Sequence, residues 1–386
     1  GAPPMAAGAA GLVAATMASA PPPRVVVCGG GIAGVSTAFY LARRGCRPVV
    51  LDRAGVAAAA SGKAGGFLAA DWLDGTRAEA LARASFKLHA ELAEEFGAEA
   101  LEYRRLTAAA VAVGAGALGK PSNKKLQEVE WADKGAGAAR QLGGEDTIAQ
   151  VHPRKLVEAM AADAEGRGAT FRTATVTAVE PGAPARVRVR ARLVDGGGDA
   201  REEVLEADAV VVAMGPWTTQ VCPDLGIGPV VGQKYHSVVM RARRTLGQAA
   251  FCQGATEVEI YPRPHGAVYV TGYPDPAGPV REEPGREEAR EDRAAQLERE
   301  GRALSTALAE AEVEVRQACY LPVRAAGDGQ PAVGKVAQGL FVATGHSCWG
   351  ILNGPATGKA LAALILDGDS SLRKGKDAAC IAPLQP

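Results

Sequence analysis

The sequence predicts an α/β protein in which a doubly wound parallel sheet is interleaved with a second domain built on a mixed or antiparallel sheet. Three observations predict it. Strand, glycine turn, helix, strand and acidic residue follow one another within residues 24–53. Apolar runs of the same buried-strand type return only near 207–215 and 339–345. Between them lie segments that alternate with period two, as half-covered antiparallel strands do.

The first unit is the most informative. "RVVVCGG" (24–30) is a β-branched apolar run ending in glycines, the pattern of a strand buried on both faces. "IAGVSTAFYLARRG" (32–45) carries Val35, Ala38, Phe39 and Ala42 at helical spacing and stops at Gly45. "RPVVLDR" (47–53) is a second strand ending at Asp52. Gly29, Gly31 and Gly34 stand in G-x-G-x-x-G spacing. Gly29 permits the tight turn, Gly31 leaves room for a pyrophosphate, and Gly34 allows close helix–strand packing. The helix N-terminus offers N–H groups and a positive dipole end to phosphates. Asp52 is placed to accept from a ribose hydroxyl and would repel a 2'-phosphate. Arg53 beside it reads either as a cofactor contact or as a solvent-facing charge.

The small-residue stretch "ASGKAGGFLAADW" (60–72) resists assignment to regular structure. An amphipathic helix is expected over 75–97, with Leu81, Phe86, Leu88 and Leu92 on its apolar side. "TAAAVAVG" (107–114) reads as a strand, and 115–145 as loop and short helix. Pro153 opens a helix reaching Gly168. "ATFRTATVTAVE" (169–180) and "ARVRVRARLVD" (185–195) read as antiparallel strands, and "ADAVVVAMGPW" (207–217) as a buried strand with a Gly-Pro turn. Further strands are expected at 234–242, 258–263, 267–273 and 314–327, with a charge-dense helix over 281–311. A strand, a glycine loop and an apolar helix close the pattern over 339–368.

Composition narrows the function. The 386 residues hold 43 Lys+Arg and 43 Asp+Glu, so nucleic acid and anionic membranes are not expected partners. No apolar run reaches the roughly 20 residues of a membrane span. Seven cysteines show no C-x-x-C pair and no Cys/His cluster of zinc type, so no metal site is expected and reduced thiols in a cytoplasmic protein are. Residues 1–23 are Ala/Pro-rich without Lys or Arg, which reads as a disordered tail; organellar targeting stays open.

A nicotinamide dehydrogenase would usually finish its sheet with compact βα units. Here the matching strands return far along the chain, and a ligand long enough to touch all three zones fits FAD better than NAD. The blocks "VVVCGGGIAGVSTAFYLARRGCRPVVLDR", "AAASGKAGGFLAADW", "ADAVVVAMGPWT" and "GLFVATGHSCWGILNGPATGKALAALI" together resemble the D-amino-acid oxidase / glycine oxidase / sarcosine oxidase superfamily of FAD-dependent oxidoreductases. "SGKAGGFLAADW" and "ACYLPV" are similar to a plant and fungal branch with poorly defined substrates. The resemblance runs from about residue 24 to 367.

It implies a glutathione-reductase-like FAD-binding domain from 24–105, 150–225 and 325–370. The substrate domain would comprise 106–149 and 226–324, with 371–386 as a C-terminal tail. It also implies that Ser61, Lys63, Ala64, Gly65 and Gly66 pass under the flavin pyrophosphate and ring, and that Ile32 and Ala33 join the glycine turn. Val176 would meet the adenine, and Met214 and Gly215 would end the next cofactor strand. Backbone groups from Gly345 through His346, Gly350, Ile351, Leu352 and Asn353 would reach the pyrimidine end of the isoalloxazine.

The implied reaction is oxidation of an amine or amino acid by hydride transfer to flavin, with oxygen as the expected acceptor. No dedicated acid or base is required. In many members an Arg-Pro strand binds the substrate carboxylate; here Leu321 of "CYLPVR" stands in that place. Arg324 is the substitute candidate, with a surface arginine at a strand end the other reading. Tyr261, Arg263, His346 and Trp349 are further substrate-contact candidates, as are Lys234 and His236. Cys319 roughly matches a residue that holds flavin covalently in some relatives; a buried core cysteine is the favoured reading. Two other classes stay open: a non-catalytic or regulatory flavoprotein with a protein partner, and a dehydrogenase passing electrons to another protein.

Overall fold

The computed structural model describes residues 21–122, 125–182, 186–194 and 200–386. Most of the expected tail, 1–20, and the ends of the expected strand 185–195 lie outside them.

Val25–Cys28 sits inside a six-stranded sheet ordered 332–337, 340–344, 209–212, 25–28, 49–52 and 170–173. Every neighbouring pair is parallel except the edge hairpin of 332–337 with 340–344. The run is apolar throughout because both faces are covered. Val25 and Val27 face a helix layer with Val35, Phe39, Met160 and Leu361. Val26 and Cys28 face a second layer with Val176, Val189 and Leu225. Burying each such valine contributes about 1.5–3 kcal/mol. That second layer includes an antiparallel three-stranded sheet of 175–181, 187–194 and 200–207.

A seven-stranded sheet forms the other half, in the order 312–324, 230–241, 267–272, 259–262, 248–254, 107–113 and 136–143. It is antiparallel apart from the parallel pair 248–254 with 107–113. One face packs Val238, Met240, Ile260 and Val270 under the helix Glu291–Leu304. The opposite face presents Val239, Tyr261 and Tyr269 to Phe67, Trp72 and Trp349. A small sheet of 67–69, 148–150 and 104–105 lies beside it.

Several elements differ from expectation; Gln248–Gly254 and Ala332–Ala337, for instance, are strands where none was expected. Thr170–Thr173 leaves the antiparallel pattern and pairs with Val49–Asp52 as the parallel edge strand. Ala136–Gly143 is a strand, not loop and short helix. Ala200–Ala207 is a strand that alternation did not reveal. The helix expected over 281–311 begins only at Glu291, because Pro284 and Gly285 hold the preceding segment in turns. No helix among the described residues is long and apolar enough to cross a membrane.

Candidate active site and cofactor cleft

After Cys28 the chain runs to the strand 49–52 on one side and later to 209–212 on the other. The carboxyl ends of strands that part in this way leave a crevice. Gly29 turns there with φ +121°, and a Cβ on it would run into the Ala213 carbonyl. A Cβ on Gly34 would meet the Gly29 carbonyl, so the helix Ile32–Arg43 starts hard against the strand. Gly31 supplies no side-chain cap. The Ile32 N–H donates to Ser61 Oγ at 2.9 Å, while that of Ala33 has no acceptor within the helix. Asp52 accepts from the N–H groups of Gly30 at 2.7 Å, Ala54 at 2.8 Å and Gly55 at 2.9 Å. A carboxylate has about four acceptor sites, so one remains for a ligand hydroxyl. Burial pushes this carboxyl above its ordinary range, and the three N–H groups oppose that.

A cleft opens at this crevice. Of the residues singled out in the sequence, Gly29, Gly31, Ile32, Ala33, Asp52, Arg53, Ser61, Ala64, Val176, Met214, Gly215, Leu321, His346, Gly350 and Ile351 line it. The others sit around it. Gly65 lies against the rings of Tyr261 and Tyr269, and Gly66 against the Val151 carbonyl. Gly345 backs onto the stem of Arg324, and Leu352 and Asn353 are buried in the helix Gly350–Asp367. The lining also includes Trp217, Pro284, Tyr320, Ser347 and Cys348. All but Pro284 fall inside stretches already quoted, Trp217 in "ADAVVVAMGPW", Tyr320 in "ACYLPV" and Ser347 and Cys348 in the block that starts at Gly339. Nothing local marks Pro284.

Pro284 belongs to the segment 273–290, which straps the seven-stranded half to the cofactor half. The Glu282 carbonyl accepts from Trp217 Nε1 at 3.2 Å. Glu283 pairs with Arg53. Glu287, its side chain wholly buried, pairs with Lys63 at 2.5 Å. Glu282 also takes Lys234 at 2.8 Å and the Tyr320 hydroxyl.

The candidate cations are engaged. Arg324 donates to the carbonyls of Ile227 at 3.1 Å and Gln330 at 2.9 Å. Arg263 is buried and donates to the carbonyls of Ala64 at 2.8 Å and Gly65 at 3.1 Å. His236 accepts the Arg290 N–H at Nδ1 and donates from Nε2 to Asp275 at 3.3 Å. His346 is held at 3.1 Å by Thr357, and burial pulls its pKa down to about 4, so its ring is neutral at pH 7. Tyr261 stacks on Phe67 and Tyr269 and donates its hydroxyl to Glu259. Trp349 meets Trp72 edge-on with centroids 6.2 Å apart.

A second helix N-terminus, that of Gly350–Asp367, meets the cleft at its far end, again without a side-chain cap. The cleft therefore joins two sets of backbone donors across a glycine-lined floor, which fits an extended dinucleotide. No group of three His, Cys, Asp or Glu among the described residues could hold a metal.

The fold and cleft thus define a class of protein that holds a long dinucleotide between a doubly wound sheet and a second, larger sheet. Residues 24–364 match the FAD dependent oxidoreductase (DAO) family, and the chain belongs to it; its cofactor is FAD. "Putative oxidoreductase C1F5.03c" of Schizosaccharomyces pombe is 33% identical over 375 residues, covering 89% of this chain and 94% of its own. Glycine oxidase from Geobacillus kaustophilus superposes with a TM-score of 0.73 at 22% identity, covering 94% of this chain and 98% of that one. L-proline dehydrogenase from P. horikoshii gives 0.70 at 18%, over 94% and 99%. These two structures share the fold.

Proposed function

We propose that this chain oxidises an amine or amino acid with FAD and that oxygen takes up the electrons. The supporting observation is the continuity of the cleft, which runs from Gly31 and Asp52 to Ser347–Ile351 and meets the second sheet at Tyr320 and Leu321. The solved relatives include a glycine oxidase and an iminodiacetate oxidase. When bound, FAD accepts the two electrons of the C–H bond beside nitrogen. The substrate nitrogen gives up a proton, the resulting imine adds water, and a carbonyl compound and an amine leave.

In this reading the free N–H groups after Gly31 bind the pyrophosphate, and Asp52 accepts from a ribose hydroxyl. The N–H groups from Gly350 onward bind the polar end of the flavin, where the helix dipole favours negative charge. His346, neutral and fixed by Thr357, shapes the loop before that helix.

The test is direct. The purified protein should be yellow, and anaerobic mixing with a panel of primary and N-methyl amines and amino acids should bleach it. Air should restore the colour with release of hydrogen peroxide. A flavoprotein that no amine or amino acid bleaches would be a binding or regulatory protein, and one that bleaches but recolours only with another acceptor would be a dehydrogenase.

A further inference from the structure

The sheet face behind the cleft mouth carries an unusual balance of charge. Period-two alternation puts Glu259, Tyr261 and Arg263 on one face of their strand. Phe251 stands directly opposite Glu259 on the next strand, and Tyr269 opposite Tyr261. Aromatic residues are only 5% of the chain, yet Phe67, Trp72, Phe251, Tyr261 and Trp349 gather here with ring centroids 5.0–6.2 Å apart. All of these but Tyr261 keep part of their surface open.

The cations near this face all bond to the protein itself, although the buried Nε of Arg263 and of Arg104 has no partner. Arg263 is held by two carbonyls, Arg324 by two more, and Arg104 by the carbonyls of Leu246 and Pro262. Lys63 belongs to Glu287. A substrate carboxylate entering here would lose its hydration and would have to compete with these carbonyls for a guanidinium. The anion is in the opposite position. Glu259 is half-buried and accepts from the Tyr261 hydroxyl, and no cation among the described residues pairs with it. The Cys348 thiol, which lines the cleft, is held above its ordinary value by burial and by the nearby Glu259 charge. A carboxylate beside partly open aromatic faces suits a positively charged nitrogen.

We propose that the substrate is an amine without a carboxylate on the reacting carbon, bound through its ammonium group by Glu259 within this aromatic wall. This rests on the amine-oxidation reading above, and it assigns Glu259 to substrate recognition. Hydrogen bonds from the ammonium fill the free acceptor sites of Glu259, and the rings of Phe251, Trp72 and Trp349 cover the carbon part.

Two measurements on the FAD-loaded protein test it. Benzyltrimethylammonium and benzoate, which cannot be oxidised, are titrated while the flavin spectrum is followed. The cation should bind at least 10-fold tighter than benzoate, and Glu259→Gln should abolish that preference with its own flavin spectrum intact. Tighter benzoate binding, no binding of either, or an unchanged preference in E259Q overturns the proposal. Should E259Q fail to fold, the wild-type contrast alone decides. Matched reductants then separate this idea from the reading beneath it. Benzylamine should bleach the flavin at least 10-fold faster than phenylglycine, and the reverse order overturns the proposal. Cation binding without bleaching by any amine would sink the oxidation reading and leave Glu259 as a cation site.

Discussion

His89 Nε2 lies 2.9 Å from the Ile351 carbonyl, the group that Pro355 leaves without its helical donor. The same nitrogen reaches the Leu352 carbonyl at 3.1 Å, and Ser85 Oγ accepts from the Ala356 N–H at 3.0 Å. Ser85 and His89 are four residues apart on the helix Glu79–Phe96 and therefore share a face. Together they repair the hydrogen-bond ladder around a proline in the helix that meets the cleft. Replacing His89 by Leu should cost about 1–3 kcal/mol, the penalty for buried unpaired carbonyls. It should also weaken FAD binding. Urea unfolding and an FAD titration check both, with Ser85→Ala giving a smaller loss.

Acid should destabilise the protein through two histidines. Burial pulls both His89 and His346 down to about 4. Between the ordinary value of 6.5 and about 4, the unfolded chain takes up protons that the folded chain refuses. Stability is therefore full above pH 6.5 and falls as pH drops towards 4, by up to about 3 kcal/mol for each histidine. Unfolding free energies at pH 7, 5.5 and 4.5 should show the decline, and His346→Gln should make it shallower while the His89 share remains.

Asp52 ties three backbone N–H groups at the end of its strand. Asp52→Ala frees all three and removes the acceptor proposed for the ribose. FAD affinity should fall at least 10-fold, with about 1–3 kcal/mol of stability lost as well. Equilibrium dialysis against FAD measures the first effect and thermal unfolding the second.

The Lys63–Glu287 pair should behave as a buried ion pair. Lys63→Met strands a carboxylate with no exposed surface and should cost about 3–5 kcal/mol. The double variant with Glu287→Gln should recover most of that loss. Denaturation of the two single variants and the double one yields the coupling directly.

Cys319 is buried, and burial pushes its thiol up to about 12. A thiol needs its thiolate form to attack, so covalent attachment of flavin is not expected. Acid precipitation should leave the yellow colour in the supernatant; colour in the pellet would reverse this expectation.

The parts of the fold that were legible in sequence are those whose burial is one-sided or complete along a continuous run. Val25–Cys28 announces itself because every residue is buried. Ala136–Gly143 does not, because "AGAARQLG" is largely exposed and lacks β-branched side chains. Ala200–Ala207 hides behind its charges. The cofactor side of the site is local, so the glycine turn and Asp52 stand within 24 residues of sequence. The substrate side proposed above draws on Phe67, Trp72, Phe251, Glu259, Tyr261 and Trp349 from distant segments, and alternation alone does not say which sheet face meets the cleft. Arg324 illustrates the same limit. Its sequence position suggests a clamp, but its guanidinium is bound by carbonyls at 227 and 330.

The strand order of the six-stranded sheet carries a consequence for biosynthesis. Its strands start at residues 25, 49, 170, 209, 332 and 340, and 25–28 pairs directly with 209–212. Such non-local pairing is slow and leaves partly made chains with exposed apolar edges. The central strand waits on the ribosome for a neighbour made more than 180 residues later. The loop bearing His346, and with it the far end of the cleft, emerges later still. Capture of the cofactor is therefore close to the last event of assembly, and until then the apolar edges of the sheet stay open to wrong pairing.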